Sequence, residues 1–129
     1  MPSAALKTLL QARLDLLQSL WARRDADRIV SELYTEHTEI TGAGSDALYH
    51  GGAQLRELIT TLTAGSSGAS IRIDRLTALG DSAAYTWVTW NVQPRQGDDF
   101  AMKSLFVWAL VEGQWRIVAD MYAEGEIPA

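Results

Sequence analysis

The 129-residue chain has no cysteine, which excludes a disulfide framework, Cys-based zinc or iron–sulfur sites, and redox chemistry on a protein thiol. It has only three prolines and ten glycines, and 47% of its residues are hydrophobic against 21% charged, so disorder, collagen and coiled coil do not fit. Positive charge is also short. Eleven Lys and Arg stand against 16 Asp and Glu, the net charge is -5, and the basic residues are scattered, so a nucleic-acid partner is not expected. No run of about eighteen apolar residues occurs, so no membrane span is expected. The start, Met1-Pro2-Ser3, leads directly into a helical pattern with Lys7, Arg13 and Asp15 rather than a leader's apolar core, which implies a cytoplasmic address. The length suits one domain over 1–129.

What the chain does have is two kinds of periodicity. Leu6, Leu10, Leu14, Leu17 and Trp21 recur at three- and four-residue steps, with Leu9 and Leu20 widening the stripe, and Ser3 is placed to cap this helix. Asp25 is a candidate N-cap for a second, shorter helix with Ala26, Ile29, Val30 and Leu33 on its apolar face. A β-prone run from Tyr34 is broken by Gly42-Ala43-Gly44-Ser45, which lacks phosphate-loop spacing and reads as a turn; no cofactor is implied. Leu48-Tyr49-His50 reads as a short extended piece closed by Gly51-Gly52. Leu55, Leu58, Ile59 and Leu62 then predict a third helix, and Gly65-Ser66-Ser67-Gly68 a loop.

The second half is β-prone throughout. Ala69 to Leu79, Ala83 to Pro94, Phe100 to Val111 and Trp115 to Ala123 are separated by Gly80-Asp81, Gln96-Gly97-Asp98 and Glu112-Gly113, so four strands form an antiparallel meander. Helix, helix, strand, helix and meander make an α+β fold with three N-terminal helices packed on one face of a mostly antiparallel sheet. Both faces of the meander strands are apolar, and each face of Ala83–Pro94 carries a tryptophan, Trp87 or Trp90. Three helices cover one face only, so a homodimer through the sheet is expected to cover the other.

Several segments resemble one superfamily, in order along the chain. They are Leu20-Trp21-Ala22-Arg23-Arg24-Asp25-Ala26-Asp27, Leu33-Tyr34-Thr35-Glu36-His37-Thr38-Glu39, Tyr49-His50-Gly51, and the terminal Glu112-Gly113-Gln114-Trp115-Arg116-Ile117-Val118-Ala119-Asp120-Met121-Tyr122. Together they are similar to the nuclear-transport-factor-2-like superfamily, which includes SnoaL-like and ketosteroid-isomerase-like domains. The resemblance implies a cystatin-like α+β cone, with a curved sheet closed by helices around an apolar pocket for a small apolar ligand. It also implies positions for the isomerases' catalytic set, and here the sequence departs: the base falls on Gly42 or Thr41 and the helix-one tyrosine on Leu17, none of which supplies that chemistry.

Asp120 is the best remaining acid. Strict alternation puts Arg116, Val118, Asp120 and Tyr122 on one face and Trp115, Ile117, Ala119 and Met121 on the other, so Asp120 and Tyr122 point the same way. In an apolar wall Asp120 would be desolvated toward a pKa useful for proton transfer, with Tyr122 as donor and His50 as a further candidate; pairing with Arg116 is the alternative. Tyr34, Tyr49, Trp87, Asn91, Phe106 and Trp108 are candidate ligand-binding residues, with Asn91 the polar orienter, although an aromatic stripe on strands also suits core or interface. His37 and His50 lack the helical spacing of a metal pair, and no metal site is expected. Two functions fit: a binding domain for a small apolar molecule, or an isomerase, cyclase or lyase that moves a proton next to a carbonyl.

Overall fold

The computed structural model describes residues 3–128, apart from the side chain of Ser3, so the capping role expected of Ser3 lies outside what is described. The elements are α1 (Ser3–Ala22), α2 (Ala26–Leu33), β1 (Tyr34–Gly42), β2 (Tyr49–His50), α3 (Gly52–Ala64), β3 (Ser66–Ala78), β4 (Ala83–Pro94), β5 (Phe100–Val111) and β6 (Gln114–Glu124). The fold is α+β and cystatin-like, with three helices on one face of a curved, open, six-stranded sheet in the order β2-β1-β6-β5-β4-β3. All neighbouring strands are antiparallel except β1 and β6, which run parallel.

The helical stripe packs much as its spacing dictates: Leu6, Leu10, Leu14, Leu17, Leu20 and Trp21 are buried, but Leu9 is 43% exposed and does not widen the stripe. Helix α1 also protects the sheet's edge. Gln18 Oε1 accepts from the Ile71 N–H at 3.0 Å and Gln11 Nε2 donates to the Ile71 carbonyl at 3.2 Å, which occupies edge-strand groups that would otherwise invite pairing. Asp25 caps α2, its side chain accepting from the Arg28 N–H at 3.1 Å. Arg13 ties the helices to the sheet by donating to the carbonyls of Trp115 and Glu32.

The expected loop at Gly65–Gly68 is shorter than its composition suggests. Strand β3 starts at Ser66, where pairing with Pro94 and Gln93 of β4 overrides local propensity and the irregularity is absorbed as a register shift between Ser66 and Gly68. The turn at Glu112-Gly113 has positive φ at both residues, 50° and 82°, as a two-residue hairpin requires.

A second correction concerns β6. The β5–β6 register pairs Val107 with Ala119 but Trp108 with Ile117, so Val118 is an extra residue and the alternation changes phase there. Trp115 and Ile117 are therefore buried on the same helix-covered face as Asp120 and Tyr122, while Met121 is 54% exposed on the opposite face. That outer face carries two cross-strand rows. One runs Arg75, Trp87, Leu105, Met121, Thr41 and the other Thr77, Tyr85, Val107, Ala119, Glu39. Both rows are apolar at their centres.

Candidate functional site

The inner face and the helices enclose a cavity of about 330 Å³. This is near the lower end of the range for small-molecule sites, about 300–1,000 Å³. Its wall combines Trp21 from α1, Leu58, Ile59 and Leu62 from α3, Tyr34 and Ile40 from β1, Trp90 and Val92 from β4, Phe100, Met102 and Ser104 from β5, and Asp120 and Tyr122 from β6. Register explains the convergence: Ile40, Asp120 and Phe106 form one inner row, and Gly42, Tyr122 and Ser104 the next. Trp21 meets Trp90 edge-to-face with centroids 5.0 Å apart, and Trp90 meets Phe106 in the same way at 6.2 Å. Leu62 and Phe100, 38% and 46% exposed, are wall residues that also reach the surface and give the cavity an apolar mouth.

Asp120 is the exception in this wall. It is 8% exposed, and its Oδ1 is buried with no hydrogen-bond partner among the described residues. Burial pushes its carboxyl up from 3.8 to about 7, against a smaller downward pull from the Ser104 hydroxyl. Among the described residues no salt bridge includes Asp120. The Arg116 alternative is not realised, because that guanidinium is spent on the backbone carbonyls of Ser31 and of Tyr34, the latter at 3.1 Å. Two phenols feel the same group. Tyr34 is raised well above the ordinary tyrosine value by complete burial and then by the Asp120 charge, and Tyr122 is raised by burial, then by Asp120 and Tyr49. The indole Nε1 of Trp90 is a second buried polar atom without a partner among the described residues. The site therefore joins one carboxyl that changes charge near neutrality to two phenolic donors in an apolar enclosure.

The candidates from the sequence divide sharply. Asp120, Tyr122 and Tyr34 line the cavity. Tyr49 is half-buried against the core and close enough to Tyr122 to raise its phenol, without lining the cavity. His50 is exposed on β2, where its backbone N–H donates to Gln54 Oε1 at 2.8 Å, and it is not brought to Asp120. Trp87 and Asn91 are exposed on the outer face, opposite the cavity, so Asn91 orients nothing within it. Phe106 and Trp108 face inward but are wholly buried beneath the cavity; Trp108 Nε1 donates to Thr86 Oγ1 at 2.9 Å, so both are core. Trp21, Trp90 and Ser104 are wall residues that sequence reasoning misses. Trp90 is legible only as one of two tryptophans on opposite faces of β4, and nothing in the alternation says which face the helices cover.

A family model of the SnoaL-like domain matches residues 15–118. No curated protein matches the sequence. Among solved structures, a ketosteroid isomerase-like protein from Erwinia carotovora atroseptica superposes with a TM-score of 0.74 at 14% identity, covering 98% of this chain and 100% of the other. A nuclear transport factor 2-like superfamily protein from Salmonella enterica gives 0.75 at 16% identity, over 99% and 96% of the two chains. A cystatin-like-fold domain from Nostoc punctiforme gives 0.74 at 12% identity, over 98% and 81%. At these identities the likeness speaks for the fold. With the family model spanning most of the sequence, the chain belongs to the SnoaL-like domain family, within the nuclear-transport-factor-2-like superfamily.

Proposed function

We propose that the cone binds a small, largely apolar molecule carrying a carbonyl, and that Asp120 moves a proton on the carbon next to it. The observation that carries this reading is the Asp120 carboxyl, buried in an apolar wall with no ion pair among the described residues, where burial pushes it up to about 7. The ionised carboxylate takes a proton from the carbon beside the carbonyl. The C–H electron pair becomes the enolate C=C bond, and the carbonyl oxygen takes the charge while accepting a hydrogen bond from Tyr122 or Tyr34. Return of the proton from Asp120 to another carbon completes an isomerisation; attack of the enolate on a second carbonyl of the same molecule moves that C=O electron pair onto its oxygen, and transfer of the Asp120 proton to the resulting alkoxide completes a cyclisation. The base position of the steroid isomerases falls on Gly42 or Thr41, so Asp120 serves as both base and acid.

An enolisable aromatic ketone such as 2-acetonaphthone tests this. Exchange of its methyl protons for deuterium should be accelerated by the wild type, with a rate that rises through a pH of about 7 and levels above it, since the base form is the active one. Asp120→Asn should abolish the acceleration while retaining binding. An Asp120→Asn variant that exchanges as fast as wild type removes Asp120 from the mechanism and leaves the other function, a ligand-binding domain without catalysis.

For the outer face we propose a second copy of the chain as its cover. One apolar row ends in Arg75 on β3 and the neighbouring row ends in Glu39 on β1, so a two-fold axis along the strands lays each copy's β3 edge over its partner's β1 edge, with Arg75 and Glu39 one row apart.

A further inference from the structure

Tyr122 sits in register with Gly42 of the parallel neighbour β1, and its backbone carbonyl accepts from the Ala43 N–H at 2.8 Å. From that fixed point the phenol crosses over the buried Gly42. A Cβ on residue 42 would stand 2.6 Å from both Cε2 and Cζ of the ring and 3.0 Å from its hydroxyl oxygen. Ordinary contact is about 3.5–4.0 Å, so even an alanine must drive the ring about 1 Å away. The backbone itself does not call for glycine, since Gly42 is not among the residues with positive φ. The ring does.

We propose that Gly42 is a positioning residue of the ligand site: its missing side chain seats the Tyr122 phenol against β1, and this sets both the place of the hydroxyl and the width of the cavity at the Asp120 end. The inference rests on reading the cavity as the ligand site. Tyr122 and Asp120 are successive inner-face residues of β6, and both line the cavity. A ring displaced from Gly42 therefore moves a wall of the cavity and one of its two phenolic donors together. A misplacement of about 1 Å at reacting groups costs about a hundredfold in rate, which makes residue 42 a determinant of which ligands are accepted and turned over. Because the far end of the Tyr122 side chain is what gives way, the fold survives the change.

The test combines a readout of the ring with a readout of the ligand. In protein labelled with carbon-13 at tyrosine Cζ, with Tyr122 assigned through Tyr122→Phe, Gly42→Ala should shift the Tyr122 resonance and leave the other tyrosines in place. A Tyr122 resonance unmoved by Gly42→Ala overturns the proposal whether or not any ligand binds. For 2-acetonaphthone, Gly42→Ala should weaken binding at least about tenfold in the wild-type background. In a Tyr122→Ala background it should add nothing, because the ring it displaces is gone. An equal loss in both backgrounds also overturns the proposal, since Gly42 would then act through something other than the phenol. Absence of binding to wild type contradicts the ligand reading alone, and the resonance still decides the role of Gly42.

Discussion

Replacing Asp120 by asparagine should stabilise the protein above neutral pH while removing its proton-transfer group. The carboxyl titrates at 3.8 when exposed and at about 7 when folded, so the folded state holds its proton where the unfolded chain has released it. Stability therefore falls as the pH rises from 3.8 to about 7 and is level above that, with a total loss of about 4 kcal/mol at about 1.4 kcal/mol per pH unit. Between about pH 5 and about pH 8 the share is about 2–3 kcal/mol, a large part of the roughly 5–15 kcal/mol that holds a domain together. Asparagine keeps the shape and carries no charge. Chemical denaturation followed by tryptophan fluorescence, at one fixed protein concentration, should show the difference between variant and wild type shifting in favour of the variant by this amount across the interval. A difference that does not change with pH would refute the reasoning, because it would mean that folding leaves the affinity of Asp120 for its proton unaltered. A gain in stability coupled to a loss of activity is the expected pattern where a strained group is kept for function.

Three further outcomes follow from the geometry. Thr38 is wholly buried, its hydroxyl accepting from the Thr35 N–H at 2.8 Å and donating to the Ile117 carbonyl at 2.7 Å, so Thr38→Val should lower stability by about 2–4 kcal/mol in denaturant unfolding. Asp25→Ala removes the α2 cap and should cost about 1 kcal/mol in the same assay, without affecting the cavity. Val107→Glu charges the centre of an outer row, and in sedimentation it should turn a wild-type dimer into a species near 14.2 kDa that remains folded; unfolding instead would place Val107 in the core.

The helical half of the molecule is legible because a 3.6-residue period has one phase. Once Leu6, Leu10, Leu14 and Leu17 line up, no other face of α1 is apolar enough to compete, and only Leu9, at the stripe's margin, is misjudged. The strands are harder to read. On β4 both Trp87 and Trp90 look like core residues, and it is the crossing of α1 and α3 over one face, a tertiary fact, that makes Trp90 a cavity wall and leaves Trp87 outside. On β6 the extra residue at Val118 reverses the phase. A period-two reading still pairs Asp120 with Tyr122, since both lie beyond the bulge, but it assigns Trp115 and Ile117 to the wrong face. His50 is attractive for its chemistry alone; the two-residue strand that carries it ends at the sheet's rim, with the side chain exposed.

The claim that this cone is a ligand site is tested most directly by titrating wild-type tryptophan fluorescence with neutral naphthyl ketones, naphthols and fused-ring ketones. Trp21 and Trp90 stand in the cavity wall and report on whatever enters it. A saturable change with at least one of these compounds, at one site per chain and diminished by Gly42→Ala, is the predicted result. A flat response from every compound in the panel would contradict the account.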